Sequence, residues 1–447
     1  MLLSSLLFVS LLYSAWATDS TWASIPMNVP SQLTNLNFNY ATVTTYFGTP
    51  PQQMNLTIDV STGEMAAYSV DCVFCSGETF FDASLSSTFQ HLNSPWAQAR
   101  PDFNGSESSD TMSFGGILTV TDAQFVLIDT GSYSLARQTM HNGFLGAFLN
   151  PLNSTIVTDN IFSQLYQSKQ LLNPVIGMRF DPRSPKLTVG ALDANDYEGT
   201  INWVQLESNP SWDAFNTFQV DGLKGYNGSF VPQGSGGLFA SIDSLLPSIA
   251  VQNVSTYATN NGYIGPAGAA VTIDKQTNVA SLLCDETYPY IPLTVSINGV
   301  DYQVDSSNNL LYSRQIQLGL CTLGMTNRSD TLPPNFILGQ PFLRSVYVAY
   351  RFPTDNCPGY YGFAFAKGAN RTQAQISQTP TSTPTNSAQC LSFASPTSTP
   401  SATIVTARQA LLSSEKYSVY GSTNASQVPL IDVENLSKMT WNATNLY

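Results

Sequence analysis

Residues 40–65 read YATVTTYFGTPPQQMNLTIDVSTGEM. Two runs alternate apolar and polar residues on either side of Gly48-Thr49-Pro50-Pro51. Period-two alternation marks a half-buried strand, and Gly and Pro punctuate such strands. The second run ends on a carboxylate, Asp59. The same texture recurs outward from here, in KLTVGAL, TINWVQL, LTVSINGVDYQV and SVYVAYRF. From about residue 35 to 366 these short runs are separated by Gly, Pro, Asn and Asp, so the body is expected to be all-β with a few short helices. One helix is expected in TDNIFSQLYQSKQLL (158–172), with Asp159 as its cap and Ile161, Leu165 and Leu172 on one side.

The 447 residues suffice for two or three domains with buried cores. Hydrophobic residues make up 43% and charged residues only 11%, a balance that suits a secreted β-rich protein. A formal charge of −13, with no basic run, excludes nucleic acid as a partner. The N-terminus, MLLSSLLFVSLLYSAWATDS, reads as a signal peptide cleaved after Ala15-Trp16-Ala17, so Thr18 starts the mature chain. No later stretch is apolar enough to span a bilayer, and no membrane association is expected. N-x-Ser/Thr acceptors stand at Asn55, Asn104, Asn153, Asn227, Asn253, Asn327, Asn370, Asn424, Asn435 and Asn442. Six cysteines, an even count, then read as disulfides of an oxidising compartment. After residue 367 a Thr-Pro-Thr-Ser-Thr-Pro theme with few large apolar residues reads as an O-glycosylated stalk, and residues 405–447 show no clear periodicity.

Seven stretches carry a family resemblance: YFGTPPQ (46–52), FFDASLSSTF (80–89), GGIL (115–118), NGFLGAF (142–148), LTVGALDANDYEGTINWV (187–204), LTVSINGV (293–300) and FILGQPFLR (336–344). In this order they resemble the pepsin family of aspartic proteases over residues 40–366. The resemblance implies a bilobal double β-barrel with a substrate cleft between the lobes and one catalytic Asp from each. The organisation expected is a signal peptide (1–17), an N-terminal segment (18–39), lobes at 40–205 and 206–366, a stalk (367–404) and a tail (405–447).

Two carboxylates close together share one proton, because both cannot ionise cheaply. One then activates water while the other polarises the scissile carbonyl. In the family each Asp sits in an Asp-Thr-Gly turn, where the glycine lets backbone approach the carboxylate and the Thr hydroxyl helps lock the two loops together. Here the first position falls on Asp59, with Val60 and Ser61 in place of Thr and Gly. A register shifted by two residues instead puts Ser61-Thr62-Gly63 on the motif and Tyr68 on a family Trp. Parity survives a two-residue shift, so both registers stay open. The second-lobe candidate is Asp243, where Ser244 can supply a hydroxyl and Leu245 replaces the glycine, or the Thr-Gly pair is deleted. Asp243 also reads as an ordinary strand-end Asp capping a turn.

An intact Asp129-Thr130-Gly131-Ser132 lies in the wrong place, between GGIL and NGFLGAF, and reads as a surface turn. The family's substrate-covering hairpin carries a Tyr, but no Tyr lies between Ser69 and Ser132, where Phe103 and Phe114 offer only rings. The family's basic propeptide is also missing from residues 18–39, which hold no Lys or Arg. His91 and His141, in Ser/Asn-rich contexts, read as solvated loop residues. Cys72 and Cys75 lack the second pair that a zinc site needs, so no metal or cofactor is expected. The resemblance places Cys72–Cys75 and Cys284–Cys321 as disulfides, which leaves Cys357 to pair with Cys390. The function expected first is a secreted monomeric protein, outside the cell or in an acidic lumen, that binds extended peptides or protein segments in its cleft with its chemistry impaired. An active acid endopeptidase and a structural glycoprotein are the alternatives.

Overall fold

Ala23–Asn28 alternates buried and outward side chains and forms β1, so the N-terminal segment contributes a strand to the body. In the computed structural model the described residues are 21–31, 40–73, 75, 79–95, 103–131, 143–149, 160–207, 216–225, 228–231, 237–254, 272–273, 280–283, 293–305, 311–315, 320–328, 333–354 and 356–396. Residues 1–17, expected to be a signal peptide, and the residues after 396 lie outside them.

The first half continues with β2 (Thr42–Phe47), β3 (Gln52–Asp59), β4 (Met65–Val73), β5 (Gln90–Pro95), β6 (Phe103–Phe114), β7 (Leu118–Gly131), β8 (Gly143–Gly146), β9 (Val175–Arg179), β10 (Lys186–Val189) and β11 (Tyr197–Glu207). The second half holds β12 (Thr217–Val220), β13 (Gly222–Lys224), β14 (Phe230–Val231), β15 (Leu238–Ile242), β16 (Ile249–Val251), β17 (Thr272–Ile273) and β18 (Ala280–Leu283). It ends with β19 (Leu293–Ile297), β20 (Val300–Val304), β21 (Leu311–Gln315), β22 (Leu320–Leu323), β23 (Met325–Asn327), β24 (Phe336–Leu338), β25 (Val346–Arg351) and β26 (Tyr360–Ala366). As the alternation indicates, the fold is all-β. Among the described residues one sheet takes eighteen strands and two smaller sheets take four each.

The Gly48–Pro51 break turns the chain, and β2 and β3 pair as a hairpin with Val43 opposite Leu56. The halves join through the same sheet: β9 of the first half pairs with β25 (Gly177↔Ala349), and β11 pairs with β26 (Trp203↔Gly362). Buried aromatic rings fill each half. Phe47 meets Phe125 at 5.1 Å in the first, and Phe218 meets Phe363 at 5.2 Å in the second. Such rings bury large apolar areas and are the main adhesive of a chain with so few charges.

Two expectations are corrected here. The helix runs only from Ile161 to Gln167, and its cap is Asn160, whose side chain accepts from Phe162 N–H and Ser163 N–H. Ile161 and Leu165 are buried as expected, but Leu172 lies beyond the helix.

The stalk reading also fails for residues 367–396, which lie strapped along the body. Asn298 Oδ1 accepts from Thr381 Oγ1, Ser382 N and Ser382 Oγ at 2.8–3.0 Å. Arg371 pairs with Asp305 at 2.8 Å, and Tyr360 Oη donates to the Thr385 carbonyl. The Cys357–Cys390 disulfide, Phe393 against Trp203 (5.6 Å) and a two-way bond between Asn173 and Ala394 complete the attachment. The segment needs little apolar burial because a covalent link and polar contacts to fixed partners hold it.

Candidate active site

Strand pairing brings Asp59 and Asp243 to matching places. β8 lies parallel to β3 and antiparallel to β4. In the second half β24 lies parallel to β15 and antiparallel to β16. Ile58 faces Leu145 as Ile242 faces Leu338, and on the far side Met65 faces Leu145 as Ile249 faces Leu338. Asp59 therefore matches Asp243, Val60 matches Ser244 and Ser61 matches Leu245. The loops are equally long, and the strand frame matches Asp59, not Ser61, with Asp243. Gly146 and Gly339 follow the two matched leucines. A Cβ at Gly146 would strike the Glu64 carbonyl, and one at Gly339 the carbonyls of Leu246 and Ser248.

The two loops hold their carboxylates alike. Ser61 N–H donates to Asp59 Oδ1 at 2.9 Å, and Leu245 N–H donates to Asp243 Oδ1 at 2.7 Å. Neither Ser61 nor Leu245 has a positive φ. The backbone therefore tolerates side chains where the family keeps glycine. The side chains differ more. Ser61 Oγ also donates to Asp59 Oδ1, at 2.5 Å, and Asp59 is fully buried. Asp243 is half-buried, and at the position that matches Ser61 stands Leu245, whose side chain carries no donor.

Ser244 ties the loops to each other. Its Oγ accepts from Val60 N–H at 3.0 Å and donates to the Ile58 carbonyl at 2.6 Å. The Gln340 side chain donates to the Ser244 carbonyl, and Asn160 Nδ2 donates to the carbonyls of Gly63 (2.9 Å) and Gly146 (3.2 Å). Asn216 Nδ2 reaches the Ile242 carbonyl at 2.7 Å and the Val60 carbonyl at 3.2 Å. The fully buried Tyr361 lies near this group. Desolvation, with Tyr350 and the Asp59 carboxylate adding, pushes its phenol well above the ordinary range and keeps it neutral. Gln340 sits within a quoted marker, and Asn160 adjoins the expected helix start. Asn216 carries no local signal at all.

Asp129 is exposed, as expected, but it lies in strand β7 rather than in a turn. It falls at the bulge between the Gly105↔Ile128 and Asn104↔Thr130 pairs, where an extra residue bends the strand. Phe103 and Phe114 are core residues and offer no ring to a ligand. Phe103 packs on Tyr68 at 5.9 Å, and Phe114 stacks on Phe162 at 5.7 Å. His91 is exposed on strand β5, not in a loop, while His141 lies outside the described residues. Among the described residues no cluster of three His, Cys, Asp or Glu side chains could hold a metal ion. Cys72–Cys75 and Cys357–Cys390 are disulfides, each with Cα atoms 5.6 Å apart. Cys284, the partner expected for Cys321, lies outside the described residues.

The family model described as eukaryotic aspartyl protease matches residues 39–357, and the chain belongs to that family. It is similar to Pepsin A of Rhinolophus ferrumequinum, 29% identical over 311 residues that cover 68% of this chain and 76% of that protein. It is 24% identical to Syncephapepsin of Syncephalastrum racemosum over 318 residues, 70% of this chain and 74% of the relative. Chymosin of Bos taurus is 27% identical over 321 residues, 68% of this chain and 76% of the relative.

Proposed function

We propose that this protein holds an extended peptide or protein segment between its two halves and hydrolyses it poorly or not at all. The observation that carries the reading is Asp59, fully buried with one carboxylate oxygen engaged by both the N–H and the O–H of Ser61. With two donors on it, that oxygen has both of its lone-pair sites occupied and offers none to an attacking water. Across from it Leu245 brings an apolar side chain to the matching position. An extended segment would be bound mainly through its backbone, in the manner of strand addition.

A second reading, an acid endopeptidase using Asp59 and Asp243, draws on the equal loop lengths and the matched N–H bonds to the two carboxylates. Calorimetry with an unfolded polypeptide at about pH 4, near the ordinary carboxylate pKa, separates the two. Binding without products, retained in Asp59→Ala, is the expected outcome. Absence of binding overturns the reading, and product formation that Asp59→Ala abolishes establishes the second one.

The setting proposed is secretion, as a glycosylated monomer, or delivery to an acidic lumen. Asn104, Asn253, Asn327 and Asn370 are exposed acceptors, whereas Asn55 is half-buried and its Oδ1 accepts from Thr44 Oγ1. The other five acceptors, Asn153, Asn227, Asn424, Asn435 and Asn442, lie outside the described residues. Among the described residues no helix is long and apolar enough to cross a membrane.

A further inference from the structure

The matched frame makes one bond conspicuous. Ser244 Oγ crosses to the first loop twice, accepting from Val60 N–H and donating to the Ile58 carbonyl. The frame pairs Ser244 with Val60 and Ile58 with Ile242. The reciprocal link would be a hydroxyl at position 60 donating to the Ile242 carbonyl, and valine has none. That carbonyl is nonetheless satisfied, by Asn216 Nδ2 at 2.7 Å. The same nitrogen, which has two hydrogens to give, reaches the Val60 carbonyl at 3.2 Å.

We infer that Asn216 is a positioning residue that replaces the missing first-loop hydroxyl and locks the second Asp loop against the first. Its place suits the task. Asn216 directly precedes β12, whose Thr217 pairs with Ser241 of β15, so the side chain is anchored beside the strand that delivers Asp243. It is buried, with 3% of its surface exposed, so its bonds do not compete with bulk water. Removing the amide leaves two buried carbonyls without that donor, and these are costly to leave unmade. The inference rests on the paired placement of Asp59 and Asp243, not on whether the site cuts or only binds.

The reciprocal logic supplies a rescue that ordinary packing would not give. Asn216→Ala, Val60→Thr and the double variant are compared in the full chain by amide hydrogen exchange over residues 57–62 and 240–246 and by thermal unfolding. Asn216→Ala is expected to speed exchange in both loops about tenfold and lower the melting temperature by about 2–4 °C, the size expected for a buried hydrogen bond. Val60→Thr supplies the reciprocal hydroxyl and, in the Asn216→Ala background, should bring exchange back to within about twofold of the native chain. Unchanged exchange in Asn216→Ala overturns the inference, as does a loss that Val60→Thr does not repair. Should Asn216→Ala be recovered only unfolded, folding of the double variant supports the inference and its failure to fold overturns it. None of these readouts depends on peptide binding or cleavage, so a failed functional reading leaves the result interpretable.

Discussion

The loop after β3 and the loop after β15 share one backbone and differ in their side chains. Both leave a strand that lies parallel to an inserted strand, both present an Asp whose Oδ1 accepts from the N–H two residues on, and both return after the same number of residues. One loop then reads Asp-Val-Ser and the other Asp-Ser-Leu. Ser61 turns its hydroxyl inward onto its own Asp59, whereas Ser244 turns its hydroxyl outward to the opposite loop. The difference teaches where the constraint lies. Long-range strand pairing and the two glycines beneath the loops hold the frame, while the side chains on it can change without disturbing the fold.

Restoring the side chains is the strongest way to break the contrast. The triple variant Val60→Thr, Ser61→Gly, Leu245→Gly gives each loop a hydroxyl followed by glycine on an unchanged frame. Its cleavage of an unfolded protein at about pH 3.5 is expected to exceed that of the native chain by about 1,000-fold, within the range general acid–base assistance supplies. Equal rates in the two proteins would mean that the loops are not what limits the chemistry.

A change outside the loops provides the next largest effect. Cys390→Ser opens a link between residues 33 apart and should cost about 3–4 kcal/mol of stability, measured by denaturant unfolding. Exchange in the two Asp loops should keep its native pattern. Loss of loop protection in this variant would show that the strap, and not the strand frame, holds the loops.

Ser244→Ala removes the donor to Ile58 and the acceptor for Val60 together, and is expected to cost about 2 kcal/mol in the same unfolding measurement. The exposed Ser61 should cost less when changed to Ala, because solvent can replace its bond to Asp59. A larger loss from Ser61 than from Ser244 would reverse the roles assigned to the two hydroxyls. The smallest effect belongs to Asp129→Asn. The exposed bulge position should change stability by no more than about 0.5 kcal/mol and leave ligand binding as it is.

Much of this frame could be read before any coordinates. The hairpin around Gly48–Pro51 announces itself by alternation, and the glycines of FLG and ILG lie in stretches whose order already implied the fold. The choice between Asp59 and Ser61 could not be read, because a two-residue slip keeps every side chain on its face. Only the pairing of Ile58 with Leu145, 87 positions along the chain by their numbers, decides it. Asn216 was silent for the same reason, since its acceptor Val60 lies 156 residues away. The strap escaped because its composition lacks apolar residues, and composition cannot show that Asn298, Asn173 and a disulfide are waiting for it. Asp159 and Asn160 are both good caps by type, and only the backbone turn chooses between them.

The central claim is that the frame of a paired-Asp site persists here without its chemistry, and cleavage by the native protein tests it most directly. The purified protein is incubated with an unfolded protein substrate across about pH 2 to 6, the range in which carboxylates titrate, beside Asp59→Ala and Asp243→Ala. The account predicts that the native chain releases no more product than either variant at any pH. Robust acid cleavage by the native chain, lost in both variants, would contradict it.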